Sequence, residues 1–226
     1  MKKEKVLAIP SRVVQKGNMI GNIWFDVSPY LKMIGHKETA FIDREKAETD
    51  KSFKQVIPYV VILKGDKIFV TTRSSSSGDK RLRSKISIGV GGHVNRDDYV
   101  ATLNPAPKMQ AFIRGACREV NEEVRISNVS GPVSGRFVAV IDDNSTDVGQ
   151  VHIGMIAAIS VPAKARVEIT GDGLSQGSFE LPSSIAPGSN GRFEALENWS
   201  KIIARNMDAF LQVHTALLNY EPDFLV

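Results

Sequence analysis

The sequence is poor in several features that would define its class at once. It has a single cysteine, Cys117, among 226 residues, which excludes an internal disulfide and any zinc site built from several thiolates. Its best apolar run, residues 153–163, is too short for a membrane span and contains Gly154 and Pro162. The 29 Lys and Arg exceed the 25 Asp and Glu by only four, far from the excess typical of nucleic-acid binding. We therefore expect a cytoplasmic protein with no membrane and no nucleic-acid partner.

The chain nevertheless has enough apolar material for a buried core. Hydrophobic residues make up 42% and charged residues 24%, which are ordinary values for a globular domain. Strand-like runs accompany one central and one terminal helical segment, a pattern typical of a mixed α/β fold. The first ten residues have no sustained apolar stretch, so we expect no secretory signal. We predict one domain over residues 1–226, with residues 1–55 as an N-terminal extension and 95–107 as an insertion.

Hydrophobic periodicity places the main elements along the chain. Two β-branched runs flank Gly65-Asp66 and predict a tight hairpin. The other predicted elements are strands over residues 6–9, 136–141 and 151–161, helices over about 108–126 and 194–218, a long loop over 171–191 and an exposed charged stretch over 43–54.

The central helix carries three glutamates on the side away from its apolar stripe. At about 100° per residue, Glu119, Glu122 and Glu123 fall together. Like charges four residues apart destabilise a helix by a few tenths of a kcal/mol, and Glu119 with Glu123 is such a pair. One interpretation is a solvated face on which Arg118 and Arg125 pair with Glu122. The other is a site for a hard divalent cation, since clustered oxygen ligands suit Mg²⁺ or Mn²⁺.

Two short strings resemble a known family signature. GGHV at residues 91–94 and REVNEEVRI at 118–126 resemble the signature of the Nudix hydrolases, the MutT-like phosphohydrolases. That signature is G-x5-E-x7-R-E-U-x-E-E-x-G-U, where U is a bulky aliphatic residue. The matching residues are Arg118, Glu119, Val120, Glu122, Glu123 and Ile126. The string SIGVGGHVN, followed by a long insertion, is similar to a bacterial branch of predicted phosphoesterases in that family.

This resemblance implies a fold, a metal and a chemistry. The fold is a Nudix-type α/β/α sandwich with a mixed β-sheet. Glu119, Glu122 and Glu123 would bind one or more Mg²⁺ or Mn²⁺ ions with help from the Gly92 carbonyl, and Arg118 would orient the carboxylates. The reaction would be cleavage of a phosphoanhydride bond in a nucleoside diphosphate derivative or a similar small phosphorylated molecule. A homodimer is compatible with the resemblance, because dimers are common among similar proteins.

The chain departs from the signature at two positions. Counting forward from Gly92 puts Asp98 at the first glutamate position, whereas counting back from Arg118 puts Gln110 there, because an insertion interrupts this half of the signature. Neither residue is a glutamate. Arg125 stands where the signature has its last glycine. These departures motivate an alternative, a non-catalytic Nudix-like module that senses a nucleotide.

Several residues outside the central helix are further candidates. A basic loop ahead of the glycine turn would either contact substrate phosphates or be solvated, and it contains Arg73, Lys80, Arg81, Arg83 and Lys85. His93 follows the glycine pair and either touches substrate or caps the turn. The general base stays open among Glu180, Glu194 and Glu197, each of which could equally be surface charge. The string GLSQG at 173–177 fits G-x-S-x-G, but no helix is predicted directly after it, as a nucleophile elbow requires.

Overall fold

Strands and helices are defined over most of the chain. A computed structural model describes residues 3–14, 22–74, 84–100 and 106–226. The strands within these residues are β1 (Lys5–Pro10), β2 (Ile23–Trp24), β3 (Ala40–Asp43), β4 (Phe53–Lys64), β5 (Lys67–Arg73), β6 (Ile86–Ser87), β7 (Gly89–Gly91), β8 (Val124–Ser127), β9 (Ser134–Ile141), β10 (His152–Ser160), β11 (Arg166–Ile169), β12 (Leu174–Glu180) and β13 (Phe224–Leu225). The helices are α1 (Ser28–Ile34), α2 (Arg44–Ala47), α3 (Pro107–Glu123), α4 (Asp147–Gln150), α5 (Arg192–Ala195), α6 (Asn198–Arg205) and α7 (Met207–Leu217).

Eleven of these strands join one sheet. Its main path runs in the order β12-β5-β4-β10-β9-β13, with β1, β2, β3, β6 and β7 paired onto it, while β8 and β11 form a separate pair. A large sheet combined with helices confirms the predicted mixed α/β class. The predicted strands β1, β9 and β10 and the hairpin between β4 and β5 are also confirmed. Within the described residues, no helix is both long and apolar enough to cross a membrane.

The chain packs into two compact units. The first comprises Met1–Tyr59, Gly92–Arg118 and Ala139–Ile156, and the second comprises Val60–Gly91, Glu119–Val138 and Ala157–Val226. The predicted extension, residues 1–55, and the described part of the insertion at 95–107 both belong to the first unit. One domain over the whole chain stays a prediction.

In the first unit, β1 is a buried strand with partners on both sides. Leu7 is opposite Phe41 of β3, and Ala8 is opposite Gln55 of β4, in antiparallel pairs. The backbone N–H of Leu7 also donates to the carbonyl of Val94, 2.8 Å away. Because Val94 ends the GGHV string, β1 anchors the backbone at the end of that turn.

A buried ion pair in the first unit corrects the prediction for residues 43–54. The side chain of Lys54 is only 5% exposed, and its Nζ lies 2.7 Å from Oδ1 of Asp142, which is equally buried. Nζ also donates to Oδ1 of Asn144 at 2.9 Å and to the carbonyl of Gly149 at 2.8 Å. The prediction of exposure is wrong for Lys54 because its partners lie on a turn far along the sequence.

In the second unit, a strand occupies part of the segment predicted as a loop over 171–191. β12 pairs antiparallel with β5, with Phe179 opposite Phe69 and Gly177 opposite Thr71. A Cβ atom on Gly177 would clash with the Phe69 ring, so this glycine permits the close approach. The loop prediction is wrong here because β12 is largely exposed and therefore lacks the apolar alternation of a half-buried strand.

The central helix ends earlier than its periodicity predicts. α3 ends at Glu123, and Val124–Ser127 instead form β8, which pairs antiparallel with β11. The carbonyl of Glu123 accepts hydrogen bonds from the backbone N–H groups of Thr170 at 2.9 Å and Gly171 at 3.2 Å. Pairing with a distant segment thus replaces the predicted last turn over 124–126, and that part of the helix prediction is wrong.

The closing helix predicted over 194–218 is divided into α5, α6 and α7. The side chain of Glu197 caps α6 by accepting hydrogen bonds from the backbone N–H groups of Trp199 and Ser200. Asn206, with φ of −117° and ψ of 25°, separates α6 from α7. The prediction of one continuous helix is wrong. Apolar residues recur at helical spacing through all three helices, so this spacing does not reveal where one helix ends and the next begins.

Candidate active site

The three motif glutamates lie in the last five residues of α3. Glu119 and Glu123 are half-buried, and Glu122 is exposed. Residues four apart stack on successive helical turns, so Glu119 and Glu123 share one side of the helix. The helical setting that the spacing predicts is therefore present, and metal binding by these residues stays a prediction.

A glycine-rich segment packs directly against Glu123. A Cβ atom added at Gly171 would lie 2.5 Å from Oε2 of Glu123, and one added at Gly173 would lie 3.1 Å from Oε1. Only residues without a side chain let the backbone pass this close to the carboxylate. Oε2 of Glu123 is buried and has no hydrogen-bond partner among the described residues.

The negative charge of Glu123 is unfavourable in this environment. Burial raises the pKa of the Glu123 carboxyl, the charge of Arg73 partly offsets this by lowering it, and the charges of Glu122 and Asp172 raise it further. A buried carboxylate oxygen without a donor destabilises the fold unless a cation compensates it. Carboxylate oxygens are also the donors that Mg²⁺ and Mn²⁺ prefer. The buried Glu123 carboxylate therefore fits a hard divalent cation.

Arg118 binds the carboxylate of Asp98, which is one of the two residues that counting along the signature places at the first glutamate position. Its Nε lies 2.9 Å from Oδ1 of Asp98 and its Nη2 lies 3.0 Å from Oδ2, and the Asp98 side chain is only 7% exposed. Nη2 also donates to the carbonyl of His93 at 2.8 Å. The backbone N–H of Asn95 donates to Oδ2 of Asp98 at 2.7 Å. Asp98 thus pairs with the motif arginine, whereas Gln110 lies within α3 itself.

The other predicted binding residues lie on separate segments. Gly92 is half-buried directly after β7, and Arg73 is the half-buried last residue of β5. Three residues of the basic loop lie outside the described part of the chain, namely Lys80, Arg81 and Arg83. Metal binding by the Gly92 carbonyl and substrate binding by Arg73 and Arg83 stay predictions.

His93 lies beside two other potential ligand groups. Its Nε2 is 3.7 Å from Oε1 of Glu48, and its ring centroid is 5.7 Å from that of His152. Burial lowers the pKa of His93 to about 3, assisted by the charges of Arg44, His152 and Arg118. The imidazole is therefore neutral at physiological pH. Contact between His93 and substrate stays a prediction.

Comparison with known proteins shows what the chain is similar to. No family model matches the chain. The chain is 29% identical over 204 residues to Protein YmaB of Bacillus subtilis (strain 168), covering 88% of this chain and 95% of that protein. The crystal structure of Tm1382, named as a candidate Nudix hydrolase, matches 90% of this chain and 98% of its own, with 26% identity and a TM-score of 0.68. The chain therefore has the fold of the Nudix hydrolases. The Nudix-type fold that the motif implied is thereby confirmed.

The candidates for a general base all make structural contacts. Glu180 accepts hydrogen bonds from Arg192 at 2.7 and 2.8 Å, and Glu194 pairs with Lys201 at 2.9 Å. Glu197 caps α6. Carboxylates committed to such contacts are less available to accept a proton from water. These contacts favour the interpretation of all three as structural charges.

Two potential nucleophiles of the chain lie in unreactive settings. Leu174–Gly177 of the GLSQG string belong to β12, an extended strand, so the string does not form the strand-to-helix turn of a nucleophile elbow. Burial raises the pKa of the Cys117 thiol, which keeps it in its less nucleophilic form. Neither position therefore offers an activated nucleophile as an alternative to the glutamates of α3.

Sequence reasoning misses the residues that surround Glu123 and His93. Gly171 and Gly173 fall in the predicted loop, where the G-D-G spacing is a signal that could have indicated a close backbone approach. Glu48 and His152 carry no such signal, because neither lies near His93 along the chain. Folding alone brings these groups together.

Proposed function

We propose that this Nudix chain is a divalent-metal-dependent pyrophosphohydrolase that cleaves a phosphoanhydride bond in a nucleoside diphosphate derivative or a similar small molecule. The observation that carries the proposal is the buried Oε2 of Glu123, which has no hydrogen-bond partner among the described residues. It lies on the same end of α3 as Glu119 and Glu122. The fold shared with Tm1382, named as a candidate Nudix hydrolase, supports the same chemistry.

The metal would be held by side chains that the helix keeps in a constant arrangement. The oxygens of Glu119, Glu122 and Glu123 would hold Mg²⁺ or Mn²⁺, with the Gly92 carbonyl as a further ligand. The ion, when bound, neutralises phosphate oxygens and lowers the pKa of a bound water. Gly171 supports this arrangement, because its close approach leaves the Glu123 carboxylate little room to move on that side.

Two arginines complete the contribution of the chain itself. Arg118 is a positioning residue, because its bonds to Asp98 and to the His93 carbonyl hold the glycine turn. The charge of Arg73 acts on Glu123, and a guanidinium in that position can donate two hydrogen bonds to a phosphate. Arg73 would thus bind and orient the anionic substrate.

A substrate screen tests this proposal. Purified protein is incubated with nucleotide sugars, dinucleoside polyphosphates or nucleoside triphosphates, each with Mg²⁺, with Mn²⁺ and with excess chelator, and the products are separated by chromatography. We expect turnover of at least one class with either ion and none with chelator. The proposal is wrong if no class is hydrolysed with either ion, or if chelator leaves hydrolysis unchanged.

The departures from the signature support a second candidate function, a nucleotide sensor without catalysis. Neither Asp98 nor Gln110, the two residues that counting offers at the first glutamate position, is a glutamate, and Arg125 stands where the signature has its last glycine. Calorimetry separates the two functions. Tight nucleotide binding that needs no metal and leads to no turnover would favour the sensor.

Replacing Gly171 with alanine tests the support that this residue gives to Glu123. The added Cβ would lie 2.5 Å from Oε2 and 3.0 Å from the Cα of Glu123, so the carboxylate must move. We expect the Mg²⁺ concentration for half-maximal activity to rise by about 10- to 100-fold, the range for residues that orient metal ligands. Gly131→Ala is the matched control, since a Cβ there meets no atom within 4 Å. Equal metal dependence in the two variants would contradict the role of Gly171.

The setting of the enzyme is part of the same proposal. The single cysteine suits the reducing cytoplasm, and a homodimer is proposed from the resemblance to similar proteins. Sedimentation of the purified protein over a range of concentrations measures its oligomeric state. A single monomeric species throughout would contradict the dimer.

A further inference from the structure

Outside the Nudix helix, three potential metal ligands of the first unit lie close together. They are Glu48, which follows α2, His93 in the glycine turn and His152, the first residue of β10. One ligand atom from each residue lies within 4.8 Å of the others. The His152 residue is 6% exposed, and the His93 side chain is 15% exposed.

The protonation of His152 is set by its backbone neighbour. Its Nδ1 lies 2.7 Å from the carbonyl of Val148, an acceptor that requires Nδ1 to carry the proton. The lone pair of the neutral ring is therefore on Nε2. A histidine that donates from one nitrogen to a carbonyl and presents the other is the usual arrangement of a metal-binding imidazole.

His93 has a buried ring nitrogen whose contact with Glu48 is not a hydrogen bond. Its Nε2 is buried and makes no hydrogen bond among the described residues. The contact with Oε1 of Glu48, at 3.7 Å, is too long for a hydrogen bond. A buried nitrogen without a hydrogen bond is unfavourable for folding. A cation bound between Nε2 of His93 and the Glu48 carboxylate would give this nitrogen a partner.

We propose that Glu48, His93 and His152 form a second metal site, selective for a borderline divalent ion of the Zn²⁺ class. Bonds of about 2.0–2.1 Å in a tetrahedron place neighbouring ligand atoms about 3.3 Å apart. The 3.7 Å between Nε2 of His93 and Oε1 of Glu48 needs only a small contraction to reach that distance, and all three ligand atoms lie within 4.8 Å of one another. Two imidazoles and one carboxylate suit Zn²⁺, whereas Mg²⁺ prefers oxygen donors alone. Three protein ligands leave the fourth position for water.

The charges around this cluster balance in favour of a cation. Arg44 is the nearest opposing group, with its Nε 3.8 Å from Oε1 of Glu48, but its Nη1 pairs with Glu4 at 2.9 Å. The other nearby guanidinium, that of Arg118, is paired with Asp98. Three carboxylates thus stand against two guanidiniums around the cluster.

The imidazole signals test the site without any substitution. The chain has four histidines, so a long-range ¹H–¹⁵N spectrum of chelator-treated full-length protein resolves each ring. With one equivalent of Zn²⁺ in the presence of excess Mg²⁺, we expect the Nε2 signals of His93 and His152 to shift and those of His36 and His214 to stay. Unchanged signals for His93 and His152, or equal shifts in all four rings, would overturn the site.

Matched variants assign the ligands and separate this site from the Nudix carboxylates. We expect Glu48→Gln and His152→Gln to weaken Co²⁺ binding, read from its visible absorption, by about 100-fold. His36→Gln controls for loss of a histidine in the same unit, and Glu122→Gln should keep the full Co²⁺ spectrum. If His152→Gln fails to fold by circular dichroism, the half-buried Glu48→Gln still decides. Wild-type Co²⁺ affinity in folded Glu48→Gln would overturn the proposal, whatever substrate the enzyme hydrolyses.

Discussion

Replacing Glu122 or Glu123 with glutamine is expected to lower kcat/KM for metal-dependent hydrolysis by at least about 100-fold, since even groups that only support metal ligands contribute 10- to 100-fold. Glutamine keeps the volume of the side chain and removes its charge. The neutral amide oxygen is a much poorer ligand for a hard cation. The measurement uses the substrate identified by the screen, with Mg²⁺ varied at fixed substrate, and Mn²⁺ binding followed in parallel by electron paramagnetic resonance.

Stability separates the loss of a ligand from the loss of the fold. Burial raises the pKa of Glu123, so its charged form destabilises the metal-free protein at neutral pH. Glu123→Gln should therefore raise Tm without metal while lowering kcat/KM. The exposed Glu221 offers a control, and Glu221→Gln should keep wild-type kcat/KM. Wild-type activity in both Glu122→Gln and Glu123→Gln would remove the carboxylates from the mechanism.

Replacing Lys54 with methionine is expected to reduce the free energy of unfolding by about 3–5 kcal/mol, the usual effect of breaking a buried ion pair. Methionine fills much of the same volume but leaves the carboxylate of Asp142, itself 5% exposed, without its cation. It also removes the donor to Asn144 and to the carbonyl of Gly149. Urea unfolding followed by circular dichroism gives the change, and Tm should fall by roughly 10 °C.

An exposed lysine of the same unit provides the control for Lys54. Lys46 lies 3.8 Å from Asp50, and its side chain is 63% exposed. Water screens such a pair, so Lys46→Met should change the free energy of unfolding by less than about 0.5 kcal/mol. If Lys54→Met costs no more than Lys46→Met, the ion pair with Asp142 does not stabilise this unit.

The local pattern of apolar residues was sufficient to predict those helices and strands that bury one face. The apolar stripe of α3 and the β-branched runs of β4, β5 and β10 repeat at the periods of a helix and of strands, so their types were predictable. β12 was missed because an exposed strand has no such repeat. The end of α3 was missed because the hydrogen bonds from Thr170 and Gly171 to the carbonyl of Glu123 come from a distant segment.

The candidate site divides in the same way. Glu119, Glu122 and Glu123 could be placed together from the sequence, because a helix converts their spacing into neighbouring positions. The first glutamate position of the signature could only be narrowed to Asp98 or Gln110, since an insertion disturbs the count. Only the structure shows that Asp98 pairs with Arg118, because the turn after Asn95 brings its carboxylate within 2.9 Å of the guanidinium.

The sequence by itself determined the fold class of this protein and the placement of three glutamates on one helix. Both depend on interactions between residues a few positions apart, whose geometry follows from the helical or extended backbone. Tertiary structure decided which residues surround that helix: Gly171 beside Glu123, Asp98 beside Arg118, and Glu48 with His152 beside His93. These groups are far apart along the chain, and their separation in space depends on how the whole backbone packs. Local spacing cannot encode such a distance, which is why the second metal site emerges only from the fold.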